Sequence, residues 1–385
     1  MRPRSSSAKA ALTATLATLA LAGCASDETV QGEGPVTVYV SLPLRGVSGQ
    51  DGRDAADAAE MALADAGAEA AGREVRAFVL DDSQGDGRDA QWTPQQAAAN
   101  ARRAIEDSTA IAYIGDFESG ATRSSLPITN EARLLQVSPA SSAVDLVAPF
   151  PGSDDVPEVQ ASGDRTFGRV IPSDQVQGEA GGIWAAELEW ARVAVSSDES
   201  AFGDSLAAGF EIGAADAGVS VEPKRSFEYF AGVPAEFPEL TDDVVLAPDR
   251  PGQMASDAFL PPYTHGQSGL FGPTYATSAA LDPSQLPAAG QDFIERFRSE
   301  YGREPGRYAA YGYEAMAVVL DSIERAGDGG TNREAVIDAF LDTTDRDSVL
   351  GTYSIDDVGD TTLDRLTGYR IADGRPQPVA KLAVP

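Results

Sequence analysis

Apolar runs of four to six residues alternate along this chain with Ala-rich stretches of helical length. "VTVYV" (36–40), "VRAFVL" (75–80), "AIAYIG" (110–115) and "LLQV" (134–137) read as strands. Between them, helical stretches are predicted over about 55–66, 94–107 and 120–132, the second starting at Pro94, which suits a first helical position. This rhythm predicts βαβ units, a parallel sheet and right-handed crossovers. A Pro-, Gly- and Asp-rich interval over 148–165 interrupts it, and "TFGRVIP" (166–172) reads as a crossing strand. The alternation then restarts with helix 175–189, strand "RVAVSS" (192–197), helix 203–217, strand "VVLA" (244–247) and a helix around 252–260. Helices over 287–301, 307–326 and 332–342 follow, and short β-runs separated by the turn signals "DDVGD" and "ADG" close the chain. Phe293, Phe297 and Tyr301, spaced i, i+4 and i+8, predict a core-facing stripe rather than a cofactor site. The halves resemble each other, but no 20–50-residue repeat runs through the chain.

Composition narrows the picture. The 385 residues suffice for two domains, and 42% hydrophobic residues supply a core. Acidic residues outnumber basic ones 60 to 29, which excludes broad contact with nucleic acid or anionic lipid and fits a solvated acidic surface. The N-terminus is more specific. Arg2, Arg4 and Lys9 precede "AALTATLATLALAG", an apolar run too short to span a bilayer, as expected of a secretory signal peptide. It ends in "LAGC", and Cys24 is the only cysteine, so an internal disulfide is excluded. "ASDETVQGEGP" behind it reads as a flexible tether. Loss of residues 1–23 removes three basic residues and takes the net charge from −31 to −34.

Candidate chemistry concentrates in "YIGDFESGAT" (113–122) and in "SPASS" after "LLQV". Ligands of doubly wound sheets sit beyond the carboxyl ends of strands. Ser119 stands at the expected N-cap of a helix, where free N–H groups and the positive helix end attract an anion, and Gly120 and Ala121 allow close approach. An ordinary N-cap serine, satisfied within its own helix, is the plain alternative. Enzyme chemistry finds little support. His265 is the one histidine, and the G-x-S-x-G, G-x-x-x-x-G-K and G-x-G-x-x-G motifs are absent. No cofactor and no metal are expected. "DDSQGDGRD" (81–89) resembles a calcium loop only faintly, since Thr93 stands where the last ligand, a glutamate, would be, and a solvated turn is expected.

Six segments in order resemble the leucine/isoleucine/valine-type solute-binding proteins of ABC importers, with the type I periplasmic binding fold. They are "SGQDGRDAADAAEMALADAG", "IGDFESGATRSSLPITNEARLLQVSPASSAVDL", "RVIPSDQVQG", "SDESAFGDSLAAGF", "FIERFRSEYGREPGRYAAYGYEAMAVVLDSIERAG" and "LGTYSIDDVGD". The third also looks like a segment of class C receptor ectodomains. "LAGC" resembles the bacterial lipobox, whose cysteine becomes the diacylated first residue, and two acyl chains suffice for anchoring.

The resemblance implies an α/β fold of two doubly wound parallel-sheet lobes joined by a three-crossing hinge. Lobe 1 would comprise 35–171 and 277–350, and lobe 2 172–276 and 351–385, after a signal peptide (1–23) and tether (24–34). It implies that Ser119 binds a ligand's α-carboxylate, that Ser141 and Ser142 form the second binding loop, and that Asp174 receives the α-amine, a helix N-cap being its plain alternative. Phe202 would be the lid, a phenyl where the family usually has tyrosine. Arg45 could meet an anionic side group, although an exposed loop charge is the simpler expectation. Asp51 replaces an aromatic usual in the family. The lobe 2 strand bearing a second acidic contact is expected to be missing between "VVLAPDRPGQMASDAFL" and "GLFGPTYATS". The implied function is a monomeric, lipid-anchored, extracytoplasmic binding protein for an amino acid or related carboxylate, with ABC permease subunits as partners. A lipid-anchored sensor uncoupled from transport is the alternative.

Overall fold

The computed structural model describes residues 30, 34–148, 158–160, 162–223, 227–232, 252–261, 274–327, 330–372 and 375–385. Cys24, the expected strand 244–247 and His265 lie outside them. Two sheets organise the chain. The first comprises β1 (Val36–Leu42), β2 (Arg73–Asp81), β3 (Ala110–Gly115), β4 (Leu135–Ser138) and β5 (Phe167–Arg169), in the spatial order 2-1-3-4-5. All of these neighbours pair in parallel, and the two-residue strand Glu69–Ala70 adds an antiparallel edge beside β2. The strand order reverses between β1 and β3, which places a crevice at their carboxyl ends. Helices α1 (Gly49–Asp65), α2 (Pro94–Glu106) and α3 (Ser119–Glu131) make the crossovers.

The second sheet holds β6 (Arg192–Ser197), β7 (Glu228–Ala231), β8 (Gln253–Ala255) and β9 (Thr274–Ser278) in parallel. The hairpin β10 (Arg365–Ala372) and β11 (Arg375–Ala383) joins it antiparallel to β9. Helices α4 (Asp174–Glu187) and α5 (Ala201–Asp216) cover this sheet and cross closely. A Cβ at Gly178 would stand 2.1 Å from the Leu206 carbonyl oxygen, so glycine sets their separation. The chain passes between the sheets after β5, after β9 and before β10, which gives three crossings.

Helices α6 (Ala288–Tyr301), α7 (Ala309–Ala326) and α8 (Arg333–Leu341) return to the first sheet. The Tyr301 hydroxyl donates to the Asp57 carbonyl at 2.7 Å, and Arg333 donates to the Ala110 carbonyl at 3.0 Å. Phe293 and Phe297 are fully buried, and the ring of Phe297 lies 4.6 Å from that of Tyr301, so the expected stripe packs into the core. One expected element is corrected: 252–260 is not a helix but strand β8 followed by a 3₁₀ turn, Asp257–Phe259. Met254 and Ala255 are buried, and β8 pairs on both edges, so ladder bonds and burial override an ambiguous pattern.

Candidate ligand-binding cleft

A cleft of about 710 Å³ opens between the sheets, lined from the carboxyl ends of strands in both. From the first sheet come the β1–α1 loop, the segment Arg88–Trp92, the α3 start at Glu118–Gly120 and the second loop at Ala140, Ser142 and Ala143. Asp174, Phe202 and Asp257 face them from α4, α5 and the turn after β8.

Ser119 is the first residue of α3, and Glu118 is its N-cap, so the serine is not the cap. The Glu118 carbonyl takes the N–H groups of Ala121 and Thr122, while the Ser119 hydroxyl oxygen accepts the Ala143 N–H at 3.2 Å. That leaves the hydroxyl proton to donate toward the cleft, beside a helix end whose first N–H groups lack intrahelical partners. Gly120 is needed here, because a Cβ would stand 2.5 Å from the indole of Trp92. Ser48 donates to the Glu118 carboxylate at 2.8 Å, yet burial, with Asp51 and Asp257 nearby, holds that acid above its ordinary range.

A buried network fixes these loops from behind. Asp116 accepts from Tyr113 at 3.0 Å and from Ser125, and its carbonyl takes the hydroxyls of Ser138 and Ser141. Burial pushes the Asp116 acid up to about 6 despite those donors. Ser141 also bonds Thr122 at 2.7 Å, so it locks one loop to the other and is absent from the cleft lining, whereas Ser142 is part of it. Arg169 completes the frame. It is fully buried, holds Asp360 with two N–H groups and donates to the carbonyls of Ser141 and Ala143.

Asp174 opens α4 but does not cap it, since the Ser173 hydroxyl accepts the Val176 N–H at 3.3 Å. The Asp174 side chain is 1% exposed, and among the described residues neither carboxylate oxygen has a hydrogen-bond partner. Burial pushes this acid up to about 7, against the opposing pull of the nearby Ser142 hydroxyl and of Arg169 and Arg123. Asp257 is the opposite case: Gln177, Ser278 and Tyr308 donate to it at 3.2, 3.3 and 3.1 Å. Asp257 thus brings a second acid to the cleft from the turn after β8, while the interval in which a lobe 2 strand was expected to be missing lies, beyond Pro261, outside the described residues. Tyr308 and Trp92 were also missed; Trp92 supplies an aromatic where Asp51, buried in α1, does not. Arg45 lines the cleft but is engaged by Asp81 and by the carbonyls of Ser83 and Gly85. The 81–89 segment is no solvated turn throughout: Asp82 is buried and Arg88 and Asp89 line the cleft.

Two sheet lobes, three crossings and a polar cleft between strand ends define a bilobal binding protein. The chain belongs to the periplasmic binding protein family, whose model matches residues 35–229 and 255–375. An amino acid binding protein of Pseudomonas aeruginosa is 25% identical over 316 residues, 73% of this chain and 76% of that protein. A leucine-binding protein, LivK, from Thermotoga maritima superposes with a TM-score of 0.69, covering 90% of this chain and 99% of that one at 24% identity. An ABC transporter substrate-binding protein from Desulfitobacterium hafniense in complex with leucine gives the same score, covering 90% and 100% at 20% identity. Members of the family bind solutes outside the cytoplasm, and no helix among the described residues is long and apolar enough to cross a membrane.

Proposed function

We propose that this protein captures a small α-amino acid between its lobes and delivers it to the permease subunits of an ABC importer while held to the membrane through a lipid on Cys24. The observation that carries the reading is the disposition of charge across the cleft. The start of α3, with Ser119 and Gly120, suits a carboxylate. Asp174 and Asp257 on the other side suit an ammonium group, which once buried requires an anion. Ser142 joins the first group and Phe202 covers the apolar part of the ligand; Ser141 acts behind them as a brace. The amino acids bound by the similar proteins, leucine among them, are the first ligands to try.

Calorimetric titration with L-leucine and with 4-methylpentanoate, its amine-free analogue, tests the site. A hydrogen bond to a charged group contributes about 1.5–3 kcal/mol, so Asp257→Asn should weaken leucine binding about 10- to 100-fold and leave the analogue nearly unchanged. Equal losses for both ligands would remove Asp257 from the amine site. Anchoring is tested separately: Cys24→Ser expressed in a lipoprotein-processing bacterium should leave the membrane fraction, and unchanged membrane retention refutes the lipid.

A further inference from the structure

Asp174 is a buried acid that makes no ion pair among the described residues, and the two arginines whose charge reaches it are committed elsewhere. Arg169, on β5, is committed to Asp360, and Arg123, on α3, to Asp145 at 2.9 Å. Asp257, on the turn after β8, faces Asp174 with like charge, and the Tyr229 phenol on β7 adds no positive charge. A bare carboxylate there would be desolvated with only the Ser142 hydroxyl and two committed arginines to offset the loss, and burial, the larger effect, favours taking up a proton. We propose that the cleft trades a proton for the ligand's ammonium group at Asp174, so that this acid is neutral in the empty protein and an anion in the loaded one.

The exchange balances. The O–H bond of Asp174 breaks, the proton leaves to the buffer, and the carboxylate keeps the electron pair and faces the arriving ammonium. Leucine enters as a zwitterion, so the loaded cleft carries one negative charge more than the empty one, balanced by the proton released. The inference rests on the amino-acid reading above. The position of the acid, near 7 when empty, sets the window in which the exchange is visible. Below that pH a proton must be expelled for each amine bound, and affinity for leucine should fall toward tenfold per pH unit. An amine-free carboxylate expels none. It meets less repulsion from a neutral Asp174, so its affinity should hold or rise over the same interval. The preference of one cleft for amines over plain carboxylates would then narrow as the medium acidifies.

Titration of the full-length protein with L-leucine at pH 6 and pH 8, each in two buffers of different ionisation enthalpy, counts the protons. About 0.9 should be released per leucine at pH 6 and about 0.1 at pH 8. With 4-methylpentanoate none should be. Asp174→Asn should abolish release at pH 6. Should Asp174→Asn fail to bind, infrared difference spectra of the parent decide, because leucine must bleach a carboxylic-acid carbonyl band at pH 6. Leucine binding with the same heat in both buffers, or release that survives Asp174→Asn, overturns the exchange and leaves the amino-acid reading intact. If neither leucine nor any other amino acid binds, both fall together.

Discussion

Two buried ionisable side chains stand five residues apart on the first crossing, and they are treated in opposite ways. Arg169, fully buried, has its guanidinium saturated by Asp360 and by two carbonyls of the second binding loop. Asp174, 1% exposed, makes no ion pair among the described residues and has only the Ser142 hydroxyl and two committed arginines to ease its charge. A buried charge is tolerated when paired and hydrogen-bonded and is costly otherwise. The first arrangement belongs to a frame; the second, on the function proposed above, belongs to a site whose partner is the ligand. Stability and binding should therefore separate cleanly between these positions.

The largest effect is expected at the frame. Arg169→Met strands the Ser141 and Ala143 carbonyls and leaves Asp360 unpaired, and should cost about 3–5 kcal/mol in denaturant unfolding, toward the lower end because Asp360 is 23% exposed and can rehydrate. A cost below about 1 kcal/mol would mean that the clamp is dispensable. Next comes Asp174→Asn in the empty protein. The folded acid titrates near 7, above its ordinary value near 4, so the parent's stability is fully present below about 4 and is lost as pH rises through 7. Relative to the variant, the parent should thus lose up to about 4 kcal/mol between pH 4 and pH 8. Asp82, Asp116 and Glu118 are raised too, but they titrate in both proteins and cancel in the difference. Parallel pH profiles would restore Asp174 to an ordinary, solvated carboxylate. The smallest effect is at Ser119, which is tied to the frame through Ala143 and open to the cleft. Ser119→Ala should weaken leucine about 10- to 100-fold, by about 1.5–3 kcal/mol, with the melting temperature nearly unchanged. Unaltered affinity would make the serine a loop fastener only.

What could be read from the sequence follows the length of each element. Helices α2 and α7 and strands β3 and β6 are long or strongly apolar, and their patterns place them within two residues or so. Strand β8 has three residues, one of them Gln253, and takes its identity from pairing on both sides, so Asp257 was hidden behind a supposed helix. Trp92 was missed for a similar reason. It ends a hairpin of two-residue strands, Ser83–Gln84 against Gln91–Trp92, too short to show any alternation. Ser119 could be proposed because it begins a helix after a strand, a position that local sequence does mark, whereas Asp174 and Phe202 were proposed through the family resemblance alone. Whether a hydroxyl such as that of Ser141 turns toward a ligand or toward Asp116 depends on neighbours more than twenty residues away, and no local pattern holds that information.

The placing of Trp92 has an optical consequence. The chain has three tryptophans. Trp184 meets Tyr275 edge-on at 5.2 Å and Trp190 stacks on Phe227 at 4.9 Å, both buried in the second lobe. Trp92 alone borders the cleft, half-buried against Gly120. Emission from the two shielded indoles forms a constant background, and the colour and yield of the third report whatever stands at the start of α3. If the ligand sits where proposed, the emission of the native protein should change on binding with no label attached.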